Sequence, residues 1–287
     1  MAISLATKFL PYVDEMFSTE SKKSLLTNQD FDWTGAHTVK VYKISTTTMN
    51  DYDRAGTTIG VTDGEEGTIR WSRYGAVAGL DATTEELTLS KDRSFTFAID
   101  KLDSDETAQQ LQAASALARQ TREVVIPEVD SYVYNIMCTK AGTKATPAAL
   151  NKTNIYEEIL KANQTLDDAQ VPETGRAIVV TPATYVLMKQ CADIVMDTDI
   201  GNDMRLKGVI GMLDGCTVLK VPASRVPAKF GFMVAHPCAT VAPTKLEDYK
   251  IHQDPPGISG SLVEGRICYD AFVLDNKAKA IYYYATT

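Results

Sequence analysis

The chain is short of the residues that most chemistry needs. It has 3 histidines and 2 tryptophans among 287 residues, and no run of apolar residues comes near the roughly 20 that cross a bilayer. The Met-Ala-Ile-Ser-Leu-Ala start lacks a basic stretch leading into an apolar one, so neither a secretory leader nor a membrane contact is expected. Its 5 cysteines, Cys138, Cys191, Cys216, Cys238 and Cys268, are odd in number, scattered and never spaced C-x-x-C. They read as reduced, mostly buried thiols of a protein made in a reducing compartment. The N-x-T triplets at Asn151 and Asn163 carry no meaning without a secretory route.

Catalytic signatures are missing as well. No G-x-G-x-x-G follows a strand, no phosphate loop ends in Gly-Lys-Ser/Thr, and H-E-x-x-H does not occur. Gly257-Ile258-Ser259-Gly260-Ser261 breaks the G-x-S-x-G spacing of a nucleophile elbow because Gly260 comes one residue early, and it reads as a turn between strands. His236 and Cys238 form a close pair with too few ligands for zinc. Adjacent acids such as Asp167-Asp168 diverge by about 100° on a helix and suit a solvated surface. No cofactor, metal or catalytic residue is therefore expected. A formal charge of -8, from 29 basic and 37 acidic residues, argues against a protein whose main task is gripping phosphate backbones. Any contact with nucleic acid should be local and weak.

What is present is 44% apolar residues, enough for a real core of mixed α and β structure. Residues 1–35 show no self-sufficient core and need another surface to order them, either the body of their own chain or a neighbouring subunit. His37–Ser45 alternates as a strand whose partner lies far downstream. Residues 46–93 are rich in Thr, Gly, Asp and Glu, with turn signals at Asp63-Gly64, Glu66-Gly67 and Gly75. Strand-like pieces at Thr68–Trp71 and Glu86–Ser90 predict a long β-hairpin projecting as an interaction arm.

Ser94–Asp100 reads as a strand with Phe95, Phe97 and Ile99 on one face. A helix over about 104–126 should follow, with Asp103 as its cap and Glu106 at the third position. Its apolar stripe is Ala108, Leu111, Ser115 and Ala118, and Gln109, Gln112, Arg119 and Gln120 lie elsewhere. Pro127 kinks or ends it, and Glu128–Cys138 continues with Val129, Tyr132, Val133 and Ile136 inward.

Beyond the polar stretch Thr139–Asn151 the pattern is α/β. Asn154–Ala169 is an amphipathic helix using Ile155, Ile159, Leu160, Ala162 and Leu166, and Ala177–Val180 is a buried strand. Thr181-Pro182 starts another helix, Asp193–Asp203 is a polar loop, and strands follow at Val218–Val221, Phe230–Ala235 and through the alternating tail from Lys250. No repeat of fixed period appears.

One segment resembles a known family. Asp254-Pro255-Pro256-Gly257-Ile258-Ser259-Gly260, then Leu262-Val263-Glu264-Gly265-Arg266 and Tyr269–Leu274, makes a rigid turn feeding a strand. This run is similar to the C-terminal region of tailed-bacteriophage major capsid proteins having the Hong Kong 97 fold. Ile99–Asp103 with Asp105–Thr107, Ile126–Asp130, Val179–Pro182, Gly208–Gly211, Asp214-Gly215 and Val218–Pro222 extend the resemblance over most of the chain after residue 94.

The resemblance implies an N-terminal arm at 1–35, an extended loop at 46–93 and a peripheral domain of 36–45 with 94–152 that includes the spine helix. It also implies an axial domain at 153–242, peripheral strands at 243–272, and a strand at 273–287 returning to the axial domain. Pentamers and hexamers in an icosahedral shell would follow, with double-stranded DNA inside held by weak contacts, a scaffolding protein and a portal as partners, and a place in the virion after assembly in the host cytoplasm. Within the extended loop, Arg70, Trp71, Arg73 and Tyr74 are the residues expected to anchor a neighbouring subunit, because aromatics and arginine dominate interface energetics. The competing expectation is that Trp71 and Tyr74 pack inside their own hairpin. An encapsulin-like nanocompartment shares the fold, and a cytoplasmic α/β enzyme is the alternative from another class.

Overall fold

The structure, a computed structural model, describes residues 21–28, 30, 38–52, 54, 61–62, 69–70, 73–74, 82–106, 112–191, 194 and 211–287. They fall into two units, divided between residues 34 and 35 and again between 88 and 89. Residues 1–20, the three turn signals near Asp63, Glu66 and Gly75, Trp71, Ala108, Leu111 and most of Asp193–Asp203 lie outside this description.

In the larger unit, apolar strands alternate their side chains between two cores. The mixed six-stranded sheet has the order β6 (Thr143–Lys144), β15 (Ile281–Ala285), β10 (Phe230–Ala235), β7 (Ala177–Val180), β9 (Cys216–Lys220), β8 (Met212–Leu213). Ile178, Val180, Phe232, Val234, Tyr282 and Tyr284 face one core, shared with α4 (Ile155–Asp168) and α5 (Pro182–Gln190). Ala177, Val179, Met233, Ala235 and Ile281 face the other, shared with α3 (Ile126–Lys140). A strand with a two-residue side-chain period and apolar groups on both faces needs a cover on each, and helices supply it. The helix at α5 starts as expected: Thr181 Oγ1 accepts the Thr184 amide at 3.2 Å and Pro182 takes the first turn. In α4 the inward residues are Ile155, Ile159, Ala162, Asn163 and Leu166, whereas Leu160 is 38% exposed. Asn163 takes the inward place because its amide donates to Asp214 Oδ2 at 2.6 Å.

The second sheet is antiparallel, β12 (Thr244–Gln253), β13 (Gly260–Tyr269), β5 (Lys91–Asp100), with Phe95, Phe97 and Ile99 on one face as the alternation requires. β11 (Thr240–Val241) pairs with β14 (Phe272–Val273).

The helix after β5 differs from the expectation. α1 (Lys101–Glu106) begins three residues earlier, and the group at its start is Asp100, whose Oδ1 accepts the Leu102 amide at 2.8 Å. Asp103 sits exposed in the first turn rather than at the cap, and Glu106 closes α1. The expected stripe is corrected too. In α2 (Ala113–Gln120), Ser115 and Ala118 are exposed, and Ala113, Ala116, Leu117 and Gln120 turn inward, an i, i+3, i+4, i+7 set rotated from the expected one. α2 runs through a π-helical turn at Thr121–Val125 into α3, so the helical run ends at Lys140. The Ile126 amide donates to Thr121 O, five residues back, and Pro127 follows where an ordinary turn would place its ring against a carbonyl.

Residues 21–28 are docked on the body of their own chain. Leu26 is fully buried in the core with α3, the Asn28 amide donates to Thr240 O at 2.7 Å, and Ser21 Oγ donates to Asp130 Oδ1 at 2.6 Å.

The smaller unit contains β1 (Thr38–Ile44) antiparallel to β4 (Ala82–Thr88) and the short pair β2 (Val61–Thr62) and β3 (Ile69–Arg70). The strand expected at 37–45, grouped from the resemblance with residues 94–152, pairs instead inside this unit, Thr38 lying opposite Thr88.

Candidate assembly surfaces

The β1–β4 ribbon has two unlike faces. Val39, Val41, Lys43, Glu85 and Leu87 share one, where Lys43 Nζ lies 3.1 Å from Glu85. The other carries Lys40 paired with Glu86 at 2.5 Å, the Thr38 and Thr88 hydroxyls 2.9 Å apart, and Tyr42 and Ile44, which are 72% and 67% exposed. Met49, Tyr52 and Tyr74 add further exposed apolar surface in the same unit. A two-stranded ribbon is marginal alone in water, and Tyr42 and Ile44 stand two residues apart on its uncovered face.

Of the four expected anchors, Arg70 lies on β3 opposite Val61, Arg73 and Tyr74 lie in an exposed turn, and Trp71 falls outside the described residues. Tyr74 meets Tyr52 edge-on at 4.9 Å, and Asn50 Nδ2 donates to its carbonyl at 3.5 Å, yet its ring remains 78% exposed. It packs within its own unit and still presents most of its surface. Tyr42, Ile44, Met49 and Tyr52 were missed from the sequence. The signal was present for two of them: Val39 and Val41 have one parity, Tyr42 and Ile44 the other, so both faces of the strand are apolar.

The turn between β12 and β13 grips the start of α1. The Asp254 amide donates to Gly260 O at 2.7 Å, Asp254 Oδ1 accepts the Gly260 amide at 3.1 Å, and the Lys101 amide donates to Ser259 O at 3.0 Å. Pro255 O accepts the Ile258 amide at 3.1 Å, with Pro256 and Gly257 between them, and Gly257 takes φ +89°. Gly260 has φ +142°, and a Cβ there would lie 2.1 Å from Ile99 O. Gly265 sits opposite both Phe95 and Tyr249, whose rings close over it with centroids 6.1 Å apart, and a Cβ would lie 2.3 Å from Phe95 Cζ.

Buried polar groups are tied to structure. Arg225 Nη1 donates to Asp130 Oδ2 at 2.9 Å, with both side chains buried. Asp270 accepts from the Ser90 amide at 2.7 Å, Tyr132 Oη at 2.8 Å and the Ala271 amide at 2.7 Å. The buried Arg176 donates to Val171 O and Pro172 O and lies 2.6 Å from Asp167.

No nucleophile or metal arrangement emerges among the described residues. Burial pushes the Cys138 thiol up to about 12 and raises Cys216 and Cys238, which disfavours the reactive thiolate. Cys138, Cys191 and Cys216 are buried. His236 Nδ1 accepts the Cys238 amide, and burial lowers its pKa, so its ring braces a turn near Thr174 O. No group of three His, Cys, Asp or Glu converges among the described residues. An open groove beside α1 is lined by Asp100, Lys101, Leu102, Ile251 and Asp254 among others, and its two carboxylates accept backbone amides, from Leu102 and Gly260.

No family model matches the chain, and no curated protein matches its sequence. Solved structures match its fold over nearly its full length. One of Mycobacterium phage Che8 has 16% identity and TM-score 0.77, with 98% of this chain and 96% of that one covered. The capsid structure of the cyanophage P-SCSP1u has 13% identity and TM-score 0.76, with 98% and 93% covered. The mature capsid of bacteriophage PhiM1 has 14% identity and TM-score 0.72, with 98% and 92% covered. A virus-like particle from Pyrococcus furiosus has 11% identity and TM-score 0.54, with 92% of each chain covered. The α+β fold is that of phage capsid subunits, the Hong Kong 97 type. Among the described residues, no helix is long and apolar enough to cross a membrane.

Proposed function

We propose that the chain is a major capsid protein that self-assembles through pentamers and hexamers into the icosahedral head shell of a tailed bacteriophage. The observation that carries this reading is the Gly35–Thr88 unit, whose ribbon leaves Tyr42 and Ile44 exposed and which also exposes Tyr52 and Tyr74, within a chain of capsid fold. A stable contact needs ~800 Å² per partner, and uncovered aromatics contribute area of the right kind. The reading makes residues 35–88 the extended loop, the helical run Ala113–Lys140 the spine, and the six-stranded sheet with α4 and α5 the axial domain. The role is structural rather than enzymatic. Its partners are further copies of itself, a scaffolding protein, a portal and weakly held packaged DNA, in the host cytoplasm during assembly and in the virion afterwards.

Electron microscopy of the protein expressed alone and with its scaffold tests this, using Tyr42→Ser with Ile44→Ser and, separately, Trp71→Ala with Tyr74→Ala. The expected result is closed shells from the wild type and few from either double variant, with an unchanged urea midpoint for the free subunit. Wild-type protein that stays monomeric or dimeric under every assembly condition overturns the reading. The likeness to the Pyrococcus furiosus particle supports a second reading, a nanocompartment shell. Shells that close around protein cargo and never hold DNA would favour it.

A further inference from the structure

Three lysines gather at one place on the larger unit. Lys189 Nζ, from the last turn of α5, lies 5.1 Å from the centre of the Tyr185 ring, and Lys220 Nζ, from the end of β9, lies 5.0 Å from the same centre. Lys22 Nζ donates to the backbone carbonyl of Lys220 at 3.4 Å, so the docked segment 21–28 sets a third ammonium group at the end of β9. Some other basic side chains are paired with acids, as in Lys40–Glu86, Lys161–Glu158, Lys250–Asp248 and Arg266–Asp92. None of the ion pairs among the described residues includes Lys22, Lys189 or Lys220.

Like charges held together repel, and the Tyr185 ring attracts the Lys189 and Lys220 ammonium groups and limits their wandering. The ring is buried, so the site is fixed in the fold, while Lys189 and Lys220 remain exposed. The cluster is a standing positive potential on a chain of net charge -8. We infer that Lys22, Lys189 and Lys220 form a contact for the phosphate backbone of double-stranded DNA. This rests on the capsid reading, which supplies the duplex.

Lysines are hydrated point charges on flexible stems, suited to sequence-independent backbone contact, whereas arginine forks suit shaped recognition. A local cluster on an otherwise acidic chain gives weak attachment that leaves the duplex free to slide. The docking of residues 21–28 through Leu26 and Ser21 fixes Lys22 in the cluster, which makes the contact a property of the folded subunit.

The test is fluorescence anisotropy of a short labelled duplex with full-length unassembled subunit, titrated at several salt concentrations. Lys189→Gln with Lys220→Gln should reduce the slope of log K against log salt by about 1.8, and Lys189→Arg with Lys220→Arg should keep it. An unchanged slope in the glutamine variant overturns the inference. So does a glutamine variant that loses binding to labelled polyglutamate while its duplex binding stays intact, which would assign the cluster to an acidic protein. Shell formation is scored separately by electron microscopy: wild-type shells with an unchanged slope sink the DNA contact alone, whereas no wild-type shells sink the capsid reading.

Discussion

At the residue scale, two glycines show how closely the β12–β13–β5 sheet is built. A side chain at Gly260 would meet backbone, Ile99 O at 2.1 Å, in a conformation with φ +142° that L residues rarely adopt. A side chain at Gly265 would meet the tip of a ring, Phe95 Cζ at 2.3 Å, which can move at a cost of repacking. At Gly257 there is open space, with only the strain of φ +89°. Urea midpoints of the three alanine variants should therefore fall in the order Gly260→Ala most, Gly265→Ala by about 1–3 kcal/mol, and Gly257→Ala by about 1–2 kcal/mol. A midpoint for Gly260→Ala at or above that of Gly257→Ala would contradict the close approach to β5. All three glycines were picked out from sequence as a turn-and-strand motif, but the reason at Gly265 was not visible there. The residues that need its bareness, Phe95 and Tyr249, lie far away in the chain and come beside it only through the register of β5 and β12.

Among the elements, the docked segment takes one of the two surfaces that the sequence left open to it. Residues 1–35 were expected to lack a surface of their own, and for residues 21–28 the surface is the body of the same chain, reached through Leu26, Asn28 and Ser21. Leu26→Ala removes a fully buried side chain from the core with α3 and should destabilise the subunit by about 2–5 kcal/mol. Chemical denaturation followed by circular dichroism measures this, and a loss under about 0.5 kcal/mol would mean that the segment is peripheral to the core. The helix start illustrates a different limit. Asp100 and Asp103 are equivalent as capping residues, and the choice depends on where β5 stops pairing with β13. That pairing runs to Asp100, opposite Gly260, so the helix begins at Lys101.

Across the whole molecule, burial acts in one direction on many acids. Tyr269 is pushed up to about 12 by burial and the neighbouring Glu128 charge, Cys138 to about 12 by burial, and Tyr132, Tyr249, Tyr282, Tyr283 and Tyr284 are raised as well. In the unfolded chain these groups lose protons near their ordinary values of about 8.5 and 10. The folded protein keeps its protons to higher pH, so these groups contribute their full stabilisation below pH about 8.5 and lose it as pH rises towards about 12. The urea midpoint should hold from neutral pH to about 8 and fall progressively above about 9. A flat midpoint through pH about 11 would show that the raised values are not present in the native state.

The sequence by itself determined the element types and the α+β class. Side-chain periodicity is local, and Ala177–Val180, Phe230–Ala235, α4 and α5 each carry their own period, with α5 also carrying its own cap. It also carried the ordered motifs that resemble capsid proteins, which the shared fold supports. Only the tertiary structure decided which strand β1 pairs with, which residue caps α1, which face of α2 is inward, and that Tyr185 gathers Lys189 and Lys220. Each of these depends on partners distant in the chain or on competing local choices of equal merit. Local propensity cannot rank such choices, because the free energy that separates them comes from packing that exists only once the chain has closed on itself.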